Sequence, residues 1–304
     1  METLLTQLLE ECRFCAHEGK VATSIPELAK GNPNDFGICL VNADGTHCVG
    51  DAHKNFTIQS AIKPILLLQA LLDNGEDTVR SRVGVESTGK TFDAINVTDQ
   101  TLLSEHLNPM VNMGAIALCS LIKGRDYPER FRRLLELTRI LADNPHIELD
   151  ESVYLSEKQT STKNRALAFL LRSYDLLHDD VEEVLDCYFR ACSISVSAQD
   201  LAHIAYVLAK HGSHPRSGEL LFPARYATYV NAVMMTCGMY DGSGNFAIDV
   251  GVPAKSGVGG GIMAVVPGSM GIGIFSPPLD SKGNSVAGIR ALELLSKRLQ
   301  LSVF

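Results

Sequence analysis

The 304-residue chain has no basic stripe. Its 27 Lys and Arg are outnumbered by 35 Asp and Glu, the two signs are mixed along the sequence, and the formal net charge is −8. That balance argues against nucleic acid as the main partner. No apolar run approaches the roughly 18 residues that cross a bilayer, so no membrane span is expected. The start, METLLTQLLEEC, carries acids and no basic segment. A secretory signal is therefore not expected, and a cytoplasmic location is. The eight cysteines, spread from Cys12 to Cys237, then point to reduced thiols. Cys12 and Cys15 form a CxxC with no second pair and no histidines at ligand spacing. They read as one face of an amphipathic helix, not as a zinc site. His211 and His214, in KHGSHP, stand among Gly and Pro and read as a solvated turn. No metal is expected. The glycines of SGVGGG are not followed by GK[ST], which leaves a Walker A loop unsupported. Internal repeats, long linkers and low-complexity segments are also missing.

Apolar residues make up 45% of the chain, enough for one large or two small domains with a sizeable core. Residues 1–18 show Leu4, Leu5, Leu8, Leu9 and Cys12 near helical spacing. FGICLVNADGTHCVGD predicts two strands joined by a turn at Ala43-Asp44-Gly45. From Ser60 to about Met235 helical patterns dominate, several ending in Gly or Asn as helix C-termini do. After Tyr240 the texture changes. FAIDVGVPAKSG, GGIMAVVPG and MGIGIFSPPL are short β-type runs bounded by Gly and Pro, and SVAGIRALELLSKRLQ closes the chain as a helix. The expected architecture is α/β of the α+β type. An antiparallel sheet from residues 1–70 and 240–304 is flanked by N- and C-terminal helices, with an all-helical domain over 71–239 inserted between them.

The stretch FTIQSAIKPILLLQ, residues 56–69, places Ser60 and Lys63 on one helix face. A serine hydroxyl is a weak nucleophile that needs a base. A lysine becomes one when burial and a second cation lower its pKa. The helix N-terminus adds N–H groups beside a developing oxyanion. Taken alone, Ser60 also reads as an ordinary N-cap and Lys63 as a solvated first-turn residue. A second stretch, PAKSGVGGG, sets Lys255-Ser256-Gly257 in a β-type run. Early SxxK with late K-[ST]-G on a strand is the pairing of β-lactamases and penicillin-binding proteins. Lys255 is then the cation expected to lower the Lys63 pKa, the strand edge offers an N–H to the oxyanion, and Gly257 leaves room for substrate.

At this point the sequence resembles the serine-dependent glutaminases, over nearly the whole chain. The resemblance rests on GKVATSIPELA (19–29), FTIQSAIK (56–63), NPMVNMGAI (108–116), SEKQTSTKNR (156–165), CYFRACSISV (187–196), CGMYDGSGNFA (237–247), GVPAKSGVGGG (251–261) and SPPLDSKGNSVAG (276–288). The β-lactamase SDN element is absent. What the resemblance implies is a β-lactamase/transpeptidase-like fold and hydrolysis of L-glutamine to L-glutamate and ammonia, without metal or organic cofactor, by a homo-oligomer (tetramer or dimer). It implies Ser60 as nucleophile and Lys63 as base, with Tyr188 and Tyr240 near the transferred protons and Lys255 as the strand lysine. Ser60, Asn112, Glu157, Asn164, Tyr188, Tyr240 and Val258 match substrate-contacting positions, Val258 through its N–H. The chemistry agrees. A carboxylate such as Glu157 suits the ammonium of a free amino acid, and Asn112, Asn164 and Tyr240 suit its carboxylate. Without the resemblance, Glu157 reads as a loop acid and Tyr188 as a core residue. The alternatives are a glutamine- or glutamate-binding relative without turnover, and a serine amidase with another substrate. Two positions depart from the family pattern. Ser24 stands where a substrate-side tyrosine is usual, and Pro64 is unusual. With Ser60 as N-cap, Pro64 would be the fourth helical residue, giving a tight or distorted first turn and biasing Lys63 away from αR.

Overall fold

The computed structural model describes residues 1–87, 93 and 107–304. Residues 88–92 and 94–106, inside the stretch expected to be helical, lie outside the described residues.

The predicted hairpin forms as β1 (Gly37–Asn42) and β2 (Gly45–Gly50), reversing at Ala43-Asp44. The C-terminal runs supply β6 (Ala254–Ser256), β7 (Gly261–Val266) and β8 (Met270–Phe275). Together they make one antiparallel sheet in the order β2-β1-β8-β7-β6. Side chains alternate across it, as the pleat requires. Ile38, Leu40, Ile262, Ala264, Ile272 and Ile274 pack under helix α1 (Glu2–Arg13) and the C-terminal helix α12 (Val286–Leu299), whose inner stripes carry Leu5, Leu8, Leu292 and Leu295. Cys39, Val41, Met263 and Val265 face the opposite core, which they share with the central helices.

One of those helices, α9 (Ala198–Ala209), lies directly on β1, β7 and β8. It starts at a capping box, in which Ser197 Oγ accepts from Asp200 N–H and the Asp200 carboxylate accepts from Ser197 N–H. This helix lies within residues 71–239, expected as the helical domain, and packs on the sheet.

Three differences from the expected elements have physical reasons. First, a second antiparallel sheet, ordered β3-β5-β4, joins Phe56–Thr57, Ile194–Val196 and Glu148–Leu149. These strands are too short for alternation to register. Phe56 stacks on Phe275 with ring centroids 4.1 Å apart, which ties the two sheets together. Second, FAID, expected as strand, lies in the helix Ser243–Asp249. Third, Cys39 and Cys48, opposite each other in the β1–β2 register, are joined by a disulfide, where reduced thiols were expected. Cys12, Cys15, Cys119, Cys187, Cys192 and Cys237 are free. No helix among the described residues is long and apolar enough to cross a membrane.

Candidate active site

The Ser60 segment is built in two steps. Residues Gln59–Ile62 form a 3-10 turn, and the α-helix α2 runs Lys63–Asn74. Pro64 stands in the first turn of α2, where its missing N–H would have had no partner inside the helix. The tight first turn is therefore present. Lys63 nonetheless keeps αR geometry (φ −58°, ψ −38°), because the 3-10 turn delivers the chain into the helix already wound. Ser60 is inside that turn and not an N-cap.

Both lysines are completely buried, at 0% exposure. Lys63 Nζ donates to Asn112 Oδ1 at 2.7 Å and to the Met110 carbonyl at 3.3 Å. Asn112 opens helix α4 (Asn112–Leu121). Its Oδ1 also accepts from Tyr188 OH at 3.3 Å, and its Nδ2 donates to Asn164 Oδ1 at 2.9 Å. One asparagine thus orients the lysine, a tyrosine and a second asparagine at once. Lys255, on β6, donates to the Ser256 carbonyl at 2.6 Å, and its Nζ lies 4.3 Å from the Tyr240 ring centroid. Tyr240 sits in a left-handed conformation (φ 52°), uncommon for a bulky residue, and shares a hydrogen bond with Ser60.

Burial dominates the electrostatics. It lowers Lys63 to about 8, while the neighbouring Cys192, Glu157 and Asp93 pull the other way. Burial, then the Lys63 charge, holds Lys255 well below the usual lysine range. The two lysines are coupled, because a charge on either disfavours a charge on the other. Glu157, in helix α6 (Glu151–Thr160), is pushed up to about 8 by burial, against a hydrogen bond from Gln59 and the Lys63 charge. Its Oε2 is buried with no hydrogen-bond partner among the described residues. Burial also raises Tyr188 and Tyr240, the latter against its bond to Ser60.

The glycine turn after β6 closes over the nucleophile. Gly257 N–H donates to the Gly261 carbonyl at 2.9 Å, and no hydrogen bond among the described residues takes the Val258 N–H. A Cβ on Gly257 would stand 2.6 Å from the Ile58 carbonyl, so only glycine lets strand and nucleophile turn approach this closely. Lys63, Asn112, Asn164 and Tyr188 are thus linked through Asn112, while Tyr240 joins Ser60 to Lys255. Glu157 adjoins this set through Lys63 and Gln59. Sequence reasoning missed Gln59 and the Met110 carbonyl. The signal for Gln59 was its place directly before Ser60. A backbone carbonyl leaves no signal. Ser24 is exposed, on a segment tied to α6 where Glu27 N–H donates to Ser156 Oγ at 3.4 Å. Among the described residues no group of three or more His, Cys, Asp or Glu could hold a metal.

Two antiparallel sheets, a helical layer and a buried serine with two lysines define a mixed α/β protein with the equipment of an amide hydrolase. The family profile described as Glutaminase matches residues 19–304, and the chain belongs to that family. A Clostridium tetani glutaminase is 49% identical over 305 residues, covering all of both chains. Glutaminase 2 of Clostridium perfringens is 48% identical with the same coverage. Among solved structures, a Bacillus subtilis glutaminase in covalent complex with 5-oxo-L-norleucine, formed by reaction with 6-diazo-5-oxo-L-norleucine, superposes with a TM-score of 0.91. It is 36% identical, and the match covers 100% of this chain and 99% of that one. The reaction of this family is hydrolysis of the L-glutamine side-chain amide to L-glutamate and ammonia, and this chain is an enzyme of that class.

Proposed function

We propose that glutamine is hydrolysed here through an ester on Ser60. The supporting observation is the burial side by side of two groups, Ser60 with Tyr240 and Lys255, and Lys63 with Asn112, whose lysines act on each other through their charges. Lys63, once neutral, takes the Ser60 Oγ proton as Oγ attacks the amide carbon. The N–H groups of Ser60 and Val258 hold the oxyanion. The tetrahedral intermediate collapses with cleavage of the C–N bond. The nitrogen takes a proton relayed from Lys63 through Tyr240 and Tyr188, and ammonia leaves. Water then attacks the ester, gives its proton to the Lys63–tyrosine group and releases glutamate, while Ser60 recovers its hydrogen. Lys255, held well below the usual lysine range by burial, lies against the Tyr240 ring and keeps that tyrosine in place. Glu157 receives the substrate ammonium, and Asn112, Asn164 and Tyr240 its carboxylate.

The antiparallel sheet with terminal helices on one face and α9 on the other supports a β-lactamase/transpeptidase-like fold. A cytoplasmic homo-oligomer, a dimer or a tetramer, is part of the same proposal, supported by the resemblance to the family and by the absence of a basic segment at the start of the sequence. The test uses 6-diazo-5-oxo-L-norleucine as probe. Its carbon skeleton attaches to the peptide containing Ser60, and Ser60→Ala removes both the adduct and nearly all glutamate release while folding is kept. An adduct elsewhere, or near-native turnover in Ser60→Ala, rejects the mechanism.

A further inference from the structure

We infer that Asn284 is a positioning residue that holds Tyr240 in its left-handed conformation and so places the tyrosine hydroxyl for the reaction; this rests on the reading of Tyr240 given above. Tyr240 has φ 52°, which a bulky residue adopts only where its surroundings hold it there. The peptide group before it, the Met239 carbonyl with the Tyr240 nitrogen, sets that angle. The Met239 carbonyl accepts from Asn284 Nδ2 at 3.3 Å and from Gly242 N–H at 3.0 Å. Met239 N–H donates to Ser243 Oγ at 3.0 Å, and the Ser243 hydroxyl donates to the Tyr240 carbonyl at 2.9 Å. The Gly242 and Ser243 bonds are local to the turn. Asn284, 45 positions away, ties the tyrosine's peptide group to the C-terminal part of the fold.

Asn284 is itself firmly held. It is 1% exposed. Its N–H and the Lys282 N–H both donate to Asp280 Oδ1, at 2.9 and 2.8 Å, and its carbonyl accepts from Asp280 N–H at 2.8 Å. The next residue, Ser285, caps α12 by accepting from Gly288 N–H at 3.2 Å. The loop closed in this way also touches the site. A Cβ on Gly283 would stand 3.5 Å from Tyr240 Cε2 and 3.6 Å from Val258 Cγ1. One loop thus braces both the tyrosine ring and the turn that carries the Val258 N–H. Only the nitrogen of the Asn284 amide can donate to a carbonyl oxygen, so its Oδ1 is turned away, and that oxygen is buried with no partner among the described residues. A buried amide with one end unpaired costs stability. What the asparagine contributes is therefore the bond from its nitrogen, and that bond acts on Tyr240.

The experiment measures kcat/KM for L-glutamine in Asn284→Leu and Asn284→Ala, each made in the wild type and in Tyr240→Phe. Leu is close to Asn in shape and has no donor; Ala removes the donor without crowding. A hydroxyl displaced by about 1 Å lowers kcat/KM about tenfold to a hundredfold in the wild-type background. In Tyr240→Phe the hydroxyl is already gone, and the same substitutions cost about threefold or less. A purely structural role gives the same factor in both backgrounds. Where Tyr240→Phe turns over too slowly to measure, the cycle is read in L-glutamate affinity by calorimetry, with the same fall in penalty expected. Equal penalties in the two backgrounds, an unchanged kcat/KM in a variant folded by its Tm, or loss of folding in both variants overturns the inference. Tyr240→Phe alone separates the two claims: wild-type kcat/KM there defeats the reading of Tyr240, while an impaired Tyr240→Phe with equal Asn284 penalties defeats only the role of Asn284.

Discussion

Glu157→Gln, followed across pH, tests the electrostatics most directly. In the free enzyme two groups carry protons they must lose. Lys63 sits at about 8 and must become neutral to act as base, and Glu157 sits at about 8 and must ionise to hold the substrate ammonium. The profile of kcat/KM reports the free enzyme, so well below these values it climbs roughly a hundredfold per pH unit. The profile of kcat reports the complex. There the bound ammonium keeps Glu157 ionised, only Lys63 remains to titrate, and the climb is about tenfold per pH unit. Glu157→Gln removes one of the two titrations. Its kcat/KM profile falls to a slope of about one, and its KM rises about tenfold to hundredfold for the lost charge-assisted bond.

Stability moves the other way. A carboxyl whose folded pKa is raised stabilises the fold fully below its unfolded pKa, and the contribution is lost as pH rises through the folded value. For Glu157 that window runs from its ordinary 4.5 up to about 8. A shift of that size is worth at most roughly 5 kcal/mol, so Glu157→Gln raises Tm near pH 8 and changes it little near pH 4. Initial rates of glutamate formation and thermal melts over the same pH range check both halves. A wild-type kcat/KM slope of about one, or a Tm gain in Glu157→Gln that does not depend on pH, refutes the assignment of the two protons.

Three further outcomes are expected. Lys255→Met lowers kcat by loosening Tyr240 but leaves the rising limb in place, because burial is what lowers Lys63; a limb displaced to higher pH would show that the Lys255 charge helps to lower it. Gly238→Ala puts a Cβ 1.8 Å from the Ala254 carbonyl, where β6 meets the segment leading to Tyr240. Overpacking of this kind costs about 1–3 kcal/mol and lowers Tm by roughly 3–10 °C, and a variant that melts like wild type contradicts the close approach. Ser24→Tyr extends an exposed side chain, and if the ring reaches the substrate kcat/KM rises at least about tenfold. An unchanged or lower kcat/KM in the folded variant would show that the loop compensates elsewhere.

The sequence by itself determined the long elements and the chemistry of the motifs. Helices α1 and α12 repeat their apolar residues over three or more turns, and β1, β7 and β8 are short, nearly continuous apolar runs bounded by turn residues, which identifies them as buried strands. Ser60, Lys63 and Lys255 were legible as candidates because SxxK at a helix start and K-[ST]-G on a strand are short motifs that survive in the sequence. Tertiary structure decided what depends on residues far apart in the chain. The second sheet is made of strands two or three residues long, too short to show a period, and exists only because residues 56–57, 148–149 and 194–196 meet. The Lys63–Asn112 bond spans 49 positions, and the Cys39–Cys48 pair depends on the register of a hairpin. The proton assignment could not be read at all from composition or spacing. The lowered lysines and the raised Glu157 follow from burial and from the charges that burial sets side by side, and the folded chain alone fixes both.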